Sequence, residues 1–277
     1  MTVKKIAFQG EYGAYSDAAA KKYIREWNET ITDREACETF EEALDKTSNG
    51  ATQLTILPVE NSIEGTVGQS IDAITNTSLN AIGELYLKVE HCLISTGKLE
   101  DIDTVYSHPQ ALGQCSQFIK ENNLKTIPTY DTAGSVKIIK DLDKNSCAAI
   151  ASSLASSLYE IPIIKQGIEN NSNNFTRFLI FSKDKSTESK NDKTSIIFSV
   201  KHEPGALYQI LKEFNDNDIN LTKIESRPNK NKNWEYNFFV DLLGHFSSSK
   251  ITSVLSKVSE NTLFLKVIGS YQIADLD

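Results

Sequence analysis

The 277-residue sequence predicts an α/β protein in two parts, a larger mixed α/β region followed by a small ferredoxin-like βαββαβ region. In the first part, short apolar runs alternate with segments of helical spacing. In the second, the order is strand, helix, strand, strand, helix, strand. Between them lies KDKSTESKNDKT, which has no apolar side chain and indicates a solvated linker. We therefore expect one domain at 1–183, a linker at 184–194 and a second domain at 195–277.

The larger region contains five apolar runs that we expect to be strands and three segments with helical spacing. The expected strands are 6–8, 54–57, 104–106, 148–150 and 178–181, and the expected helices are 66–77, 110–121 and 132–142. The segment 79–95 is long enough to cross between two lobes. A cleft between lobes is a common place for a ligand.

The smaller region contains two amphipathic helical patterns and four apolar runs. Leu207, Ile210, Leu211 and Phe214 share one helical face, as do Ile251, Val254, Leu255 and Val258. The expected strands are 195–200, 219–226, 236–243 and 263–270. Each apolar helix face is suited to packing on the sheet.

The composition excludes several classes of protein. No apolar run approaches the ~20 residues that cross a bilayer, so no membrane association is expected. A net charge of −8 argues against nucleic acid as a partner. The start, MTVKKIAFQG, lacks the apolar core of a secretory signal, which predicts a cytoplasmic protein. The four cysteines and four histidines are dispersed, so neither disulfides nor a metal site is expected.

Two motifs near the N-terminus place polar groups between a strand and a helix. In the first, Gly10, Gly13 and Ser16 allow backbone amides to approach an anion, although glycines at such turns are more often structural. In the second, Glu60, Asn61 and Ser62 concentrate a carboxylate, an amide and a hydroxyl. Helix capping alone requires only one or two such residues.

A third motif, SHPQALGQC, carries Pro109 at a position suited to the first turn of a helix, with Ser107 or His108 near the cap. Gln110 and Gln114 are plausible donors to a ligand. Cys115 fits packing better than nucleophilic chemistry.

The fourth motif is Asn173-Asn174 followed by Thr176-Arg177-Phe178, at the start of an apolar run. In a strand, Thr176 and Phe178 share one face and Arg177 takes the other. From this pattern alone, Arg177 is expected to be a surface charge.

Two motifs lie in the smaller region, Gly205-Ala206-Leu207 at the start of a helix and Glu225-Ser226-Arg227-Pro228 at the end of a strand. By pattern alone they are a helix start and an edge-strand stop.

Taken together and in this order, the motifs resemble those of prephenate dehydratases of the monofunctional bacterial type, over essentially the whole chain. The resemblance implies a catalytic part like type II periplasmic binding proteins, two lobes around a cleft, followed by an ACT regulatory domain. Asn170-Asn171 and Tyr208 depart from the family pattern. Tyr208 lies in an effector motif and is expected to alter effector affinity.

The resemblance implies decarboxylating dehydration of prephenate to phenylpyruvate in L-phenylalanine biosynthesis, with feedback inhibition by L-phenylalanine and with no cofactor. It assigns the following residues. Catalysis is expected of Thr176, Arg177, Phe178, Glu60, Asn61 and Ser62, substrate binding of Gly10, Gly13, Ser16, Gln110 and Asn174, and effector binding of Gly205, Ala206, Leu207, Glu225, Ser226, Arg227 and Pro228.

Within this scheme, Thr176 helps the ring hydroxyl to leave, through water or Glu60 or by stabilising the departing oxygen. Arg177 holds the pyruvyl carboxylate of the substrate. Two alternatives remain: arogenate dehydratase activity, and a non-catalytic amino-acid sensor. A homodimer or homotetramer is expected, because ACT domains of this family pair through their sheets.

Overall fold

A computed structural model of the chain describes residues 3–228 and 235–276. The strands are β1 (Lys5–Gln9), β2 (Asp33–Cys37), β3 (Leu54–Asn61), β4 (Gly65–Thr66), β5 (Asn80–Lys88), β6 (Cys92–Ile94), β7 (Thr104–Ser107), β8 (Lys125–Pro128), β9 (Cys147–Ala151), β10 (Ile163–Gln166), β11 (Phe175–Ser182), β12 (Asp192–Ser199), β13 (Leu221–Pro228), β14 (Tyr236–Leu243) and β15 (Phe264–Gln272). The helices are α1 (Tyr15–Trp27), α2 (Phe40–Ser48), α3 (Gly68–Asn76), α4 (Pro109–Gln114), α5 (Ser116–Glu121), α6 (Thr132–Leu142), α7 (Ser153–Tyr159), α8 (Ala206–Asp216) and α9 (Ser249–Glu260).

The α/β prediction for the larger region is confirmed. All five apolar runs lie in strands, and the three helical segments form helices. The segment 110–121 forms two short helices rather than one, because Cys115 has a non-helical backbone (φ −109°, ψ 16°) between them. The segment 79–95 supplies β5 to one sheet and β6 to another.

Close contacts divide the chain into two compact units, which do not follow the linear order of the sequence. The first comprises Met1–Ala43, Glu60–Gly65 and Leu87–Thr176. It contains the parallel pair β1 and β2 and a five-stranded sheet in the order β10-β6-β9-β7-β8. Buried apolar clusters lie around this sheet, one with α6 and α7 and the other with α4 and α5.

The second unit comprises Leu44–Val59, Thr66–Tyr86 and Arg177–Asp277. Its strands are hydrogen-bonded in the order β13-β14-β12-β15-β5-β11-β3. The predicted βαββαβ order is confirmed, and the apolar faces of α8 and α9 join one core with β12, β14 and β15. β15 meets β5 where Gly269 lies opposite Ala81. A side chain at Gly269 would collide with the Ala81 backbone, so glycine permits this approach.

The expected solvated linker is wrong at its C-terminal end. Asp192, Lys193 and Thr194 belong to β12, and all three are buried. Lys193 Nζ donates to both carboxylate oxygens of Glu84, each at 3.0 Å. A charged residue can therefore enter the core here because a carboxylate compensates its desolvation. Sequence polarity alone did not reveal this partner, which is 109 positions away.

In the part of the chain that the structure describes, no helix has the length and apolar character needed to span a membrane.

Candidate functional site

Asn61, at the end of β3, joins the second and fourth motifs. Its Oδ1 accepts hydrogen bonds from the backbone amides of Ile63 and Glu64, both at 3.0 Å. Its Nδ2 donates to Asn174 Oδ1 at 2.8 Å and to Thr176 Oγ1 at 3.0 Å. Because backbone amides can only donate, the orientation of the Asn61 amide is fixed. Asn61 therefore presents its NH₂ group to Thr176.

The Thr176 hydroxyl is consequently an acceptor toward Asn61. Among residues 3–228 and 235–276, no acceptor lies in range of its own hydrogen. The side chain is half-buried. A hydroxyl that accepts one hydrogen bond and retains its proton can donate that proton to a bound ligand.

Ser62 performs a structural task in the same place. Its Oγ accepts from the Phe175 amide at 2.9 Å and donates to the Asn173 carbonyl at 3.1 Å. These bonds hold the start of β11 beside the Asn61 loop. Its hydroxyl is thus occupied by the backbone rather than offered to substrate as predicted.

Glu60 and Phe178 lie away from this hydrogen-bond cluster. Glu60 precedes Asn61 on β3, and the alternation of a strand directs it to the opposite face. Phe178 is 1% exposed and belongs to the core of the second unit. Direct contact of Phe178 with a substrate, as predicted, is inconsistent with this burial.

Two cavities of the first unit collect most of the expected binding residues. One, of about 710 Å³, is lined by Gly10, Ser16 and Gln110 and by the starts of α1 and α6. The other, also of about 710 Å³, is lined by Gln110 and Asn174. The two share His108 and Gln110.

The donors around these cavities are neutral. Among the described residues, neither lining includes a lysine or an arginine. The lining that contains Gly10 and Ser16 also includes the acidic residues Glu11, Glu38 and Asp131. Asp131 caps α6 by accepting from the Ala133 and Gly134 amides, so it is the N-terminus of α1, rather than that of α6, that favours an anion in this cavity.

Gly13 does not line either cavity, and its predicted binding role is replaced by a packing role. It is buried at φ +89°, and a side chain would meet Ala155 at 3.1 Å. Its amide donates to Asp17 at 2.8 Å and its carbonyl accepts from Ser152 at 2.6 Å. Gly13 therefore anchors the loop that carries Gly10 and Ser16.

The third motif forms the capped helix that its sequence predicted. Pro109 is the first residue of α4, and the His108 side chain accepts from the Gln110 amide at 3.3 Å. Cys115 is buried, and burial raises the pKa of its thiol far above the ordinary range. A protonated, enclosed thiol supports the packing interpretation.

Sequence reasoning assigned no role to Tyr15 and His91, yet both join the site. Tyr15 Oη lies 2.8 Å from His91 Nδ1, and His91 Nε2 lies 2.9 Å from Gln114 Oε1. Asn174 Nδ2 donates to the same Gln114 oxygen at 3.2 Å. A lone histidine among apolar residues gave no signal, because its partners are 76 and 23 positions away.

Arg177 is the main correction to the predicted site. It is 4% exposed, so it is not a surface charge. Within the second unit, its Nε donates to Glu84 at 2.8 Å, its Nη1 to Asp241 at 2.5 Å and its Nη2 to Tyr271 at 2.8 Å. The guanidinium is therefore engaged by two carboxylates and a phenol, and is not presented as a clamp for the pyruvyl carboxylate.

These contacts form a balanced buried network. Arg177 and Lys193 carry two positive charges, and Glu84 and Asp241 carry two negative charges. Ser195 Oγ donates to Asp241 at 2.5 Å, and the Ala274 amide donates to Glu84 at 3.1 Å. Burial alone lowers the pKa of Arg177, but Tyr271, Asp241 and Glu84 raise it well above its ordinary value. The arginine is charged at every accessible pH.

The predicted effector residues divide between two faces. Gly205, at φ +86°, is the exposed N-cap of α8, whereas Ala206 is buried and Leu207 packs on the core of the second unit. Along β13, half-buried residues alternate with exposed ones, so Glu225 and Arg227 share one face. Ser226 and Pro228 are exposed on the other.

Arg227 makes an ion pair within the protein. Its Nη2 and Nε donate to the two carboxylate oxygens of Asp72 on α3, at 3.0 and 3.4 Å. A side chain at Gly68, the first residue of α3, would overlap this guanidinium. Lys223 reaches Thr66 at 3.1 Å, and Lys266 donates to the last carbonyls of the helix, including Ile74 at 3.0 Å. Arg227 thus binds α3, a role that its effector motif did not predict.

Comparison with known proteins identifies the two regions. Residues 6–186 match the family model described as prephenate dehydratase, and residues 194–260 match that of the ACT domain. A bifunctional chorismate mutase/prephenate dehydratase from Aquifex aeolicus (strain VF5) is 36% identical over 270 residues, which cover 96% of this chain and 73% of that protein.

Solved structures agree in fold. A prephenate dehydratase from Arthrobacter aurescens, in complex with L-Phe, superposes with a TM-score of 0.88 at 27% identity, covering 97% of this chain and 90% of the other. A protein described as GqqA, a novel type of quorum quenching acylases, gives 0.87 at 29% identity, with 98% of each chain covered. Since one fold can support different activities, the fold match does not decide the function. On the family-model matches, the chain belongs to the prephenate dehydratase family and carries an ACT domain.

Proposed function

We propose that this protein converts prephenate to phenylpyruvate, a step of L-phenylalanine biosynthesis, using Thr176 as the group that assists departure of the ring hydroxyl. The observation that carries the proposal is the hydrogen bond from Asn61 Nδ2 to Thr176 Oγ1, 3.0 Å long. It leaves the threonine proton available for the substrate. The family membership supports the choice of reaction.

In the reaction, the bond between the ring and its carboxylate breaks and carbon dioxide departs. The electron pair of that bond enters the ring, the bond from the ring to the hydroxyl oxygen breaks, and the oxygen leaves as water after gaining one proton, which solvent supplies, so that Thr176 keeps its own hydrogen at the end of the step. Thr176 donates a hydrogen bond to this oxygen as negative charge develops on it. Donation from Asn61 strengthens the threonine as a donor, because linked hydrogen bonds polarise each other.

Substrate binding falls to the neutral donors of the first unit. Gly10, Ser16 and Gln110 line a cavity at the N-terminus of α1, which suits the pyruvyl carboxylate. Asn174 lines the adjoining cavity and also bonds to Asn61. These donors hold the bound substrate in one orientation, so less entropy is lost when the transition state is reached.

Regulation is assigned to the region after the linker, with a catalytic domain at 1–183 and an ACT domain at 195–277. L-phenylalanine is the proposed effector, as in the L-Phe complex of the Arthrobacter aurescens relative. The exposed Gly205 turn and Ser226 are its candidate contacts. Exposed Tyr208 and Ile224 support association through this region into a homodimer or homotetramer.

A cytoplasmic location is part of the proposal. The four cysteines are buried, and within the described part of the chain none forms a disulfide, which suits a reducing compartment.

The substrate is tested by steady-state kinetics with prephenate and arogenate in parallel. We expect a higher kcat/KM for prephenate. A higher value for arogenate would reassign the enzyme as an arogenate dehydratase, and turnover of neither compound would favour a non-catalytic sensor. A single substrate comparison thus separates the three hypotheses.

A further inference from the structure

We propose that His91 is a positioning residue for the dehydration: through Gln114 and Asn174 it fixes the Asn61 amide that aims the Thr176 hydroxyl at the substrate. The inference rests on the proposed function of Thr176. Its observation is a continuous series of hydrogen bonds from Tyr15 to Thr176 within the first unit, with no heavy-atom separation above 3.2 Å. His91 is 2% exposed and lines neither cavity.

The series determines that His91 Nε2 carries a hydrogen. Gln114 Nε2 donates to Glu64 Oε1 at 3.2 Å, and Asn174 Nδ2 donates to Gln114 Oε1 at 3.2 Å. Gln114 therefore turns its oxygen toward His91, and His91 Nε2 must donate to it. In a neutral ring Nδ1 is then unprotonated, and it shares the Tyr15 hydroxyl hydrogen, at 2.8 Å, with the Glu90 carbonyl, at 2.9 Å.

The same logic continues to the threonine. Since Gln114 Oε1 accepts from Asn174 Nδ2, Asn174 turns its own oxygen to Asn61. Asn61 Nδ2 donates to that oxygen and to Thr176 Oγ1. Each amide is thus held in one of its two orientations by its neighbour. Reversal of Gln114 would place two acceptors, or two donors, against each other.

Protonation of His91 at Nδ1 would reverse only the contact with Tyr15: the cationic ring would donate there, and the Tyr15 hydroxyl would donate to the Glu90 carbonyl, 2.9 Å away. Nε2 carries a hydrogen in either state, so the orientation of Gln114 does not depend on this protonation. The groups that face the ring or its backbone are Tyr15, Gln114 and Glu169, whose carboxylate accepts from the His91 amide at 2.9 Å. Burial lowers the pKa of His91, while Gln114 and Glu169 partly oppose that shift. The ring is neutral at pH 7.

The first test compares His91→Phe with His91→Gln in the full-length protein, with prephenate as substrate. Phenylalanine removes both hydrogen bonds, whereas the glutamine amide can still donate to Gln114. We expect His91→Phe to lower kcat about tenfold to a hundredfold with little change in KM, and His91→Gln to recover most of that loss. A kcat of the folded His91→Phe protein equal to the parent value, or no recovery in His91→Gln, would overturn the proposal.

The second test uses NMR of protein labelled with ¹⁵N histidine and does not depend on activity. We expect the neutral Nε2–H tautomer of His91 at pH 7 in the parent protein. The alternative Nδ1–H tautomer, which has no hydrogen on Nε2 to donate to Gln114, would overturn the hydrogen-bond order. If the parent protein made no phenylpyruvate while the expected tautomer was observed, the proposed function would fail and the positioning role with it, although the network would stand.

Discussion

Arg177 and Asp241 form a buried ion pair, with Nη1 and Oδ2 2.5 Å apart, that connects the residue after Thr176 to strand β14 of the ACT domain. Thr176 and Arg177 are adjacent in sequence but face in opposite directions, one toward Asn61 and the other toward Glu84 and Asp241. Arg177 therefore stabilises the structure next to Thr176 and is not expected to bind the substrate. Its loss is expected to act through stability and position rather than through substrate affinity.

Asp241→Asn tests this support. The change leaves two buried cations, Arg177 and Lys193, with Glu84 as their one remaining carboxylate partner in the network, and breaking a buried pair costs about 3 kcal/mol or more. We expect denaturant unfolding to show a loss of that size. As a control, Asp216→Asn removes a carboxylate from an exposed helix pair and should leave the free energy of unfolding almost unchanged. Equal stability of the two variants would refute the buried network.

Arg177→Lys separates the two roles considered for this residue. A lysine keeps the charge but cannot bond to Glu84, Asp241 and Tyr271 together. We expect a lower melting temperature and a lower kcat, with KM for prephenate little changed. If the variant instead had a raised KM and the same stability as the parent, the hypothesis that Arg177 binds the substrate carboxylate would be supported.

Thr176→Val removes the hydroxyl and nearly preserves the volume of the side chain. We expect kcat to fall about 10²-fold or more with a modest change in KM, since the group acts chiefly in the transition state. Thr176→Ser keeps a hydroxyl within reach of Asn61 and should retain much more activity. Comparable kcat values for the serine and valine variants would exclude the hydroxyl from the mechanism.

Asp72→Asn tests whether the ion pair with Arg227 transmits the effector signal to α3. Helix α3 follows the Asn61 motif along the chain and is held by Arg227 and Lys266, while Lys223 bonds to Thr66 just before the helix. We expect L-phenylalanine still to bind, as measured by calorimetry, but to inhibit more weakly, because binding and coupling are separate quantities. If L-phenylalanine inhibited this variant as strongly as the parent, the ion pair between Asp72 and Arg227 would have no part in coupling effector binding to catalysis.

Gly205→Val tests the effector site. No atom lies within 4 Å of a Cβ at this position, so the expected effect comes from the backbone, whose φ of +86° suits glycine. We expect loss of L-phenylalanine inhibition with kcat retained. Gly50→Val is a matched control at a glycine with a similar φ of +83°, where a Cβ would meet only the Lys183 Nζ at 3.5 Å, and it should leave inhibition intact. Undiminished inhibition of Gly205→Val would place the effector elsewhere.

Removal of residues 184–277 is expected to lower stability as well as to abolish L-phenylalanine inhibition, because part of the buried ion network lies in the removed region. The truncation would delete Lys193, Asp241 and Tyr271 and leave Arg177 and Glu84 without these partners. We expect loss of L-phenylalanine sensitivity together with a lower melting temperature. A truncated protein that is as stable as the parent would contradict the structural role of the ACT domain.

The elements with strong periodicity were predictable from the sequence. The helix faces around Ile210 and Val254 and the apolar strands of both regions formed as expected. The link between the Asn61 and Thr176 motifs followed from resemblance rather than from spacing, because 115 positions separate them.

Buried polar residues account for most of what the sequence did not predict. Arg177 and Lys193 looked like solvated charges, since their compensating carboxylates come from distant strands. His91 acquired its significance only through its contact with Gln114, which the sequence had indicated as a donor to a ligand. Local polarity cannot reveal such pairs, because a charge is buried or exposed according to partners that the fold supplies.

The decisive assay for the proposed function measures phenylpyruvate formation from prephenate by the full-length protein, with and without L-phenylalanine. The proposed function predicts saturable production above the uncatalysed rate, and inhibition that reaches a limit as the effector binding site fills. If the folded protein produced no phenylpyruvate above the uncatalysed rate, the proposed function would be wrong.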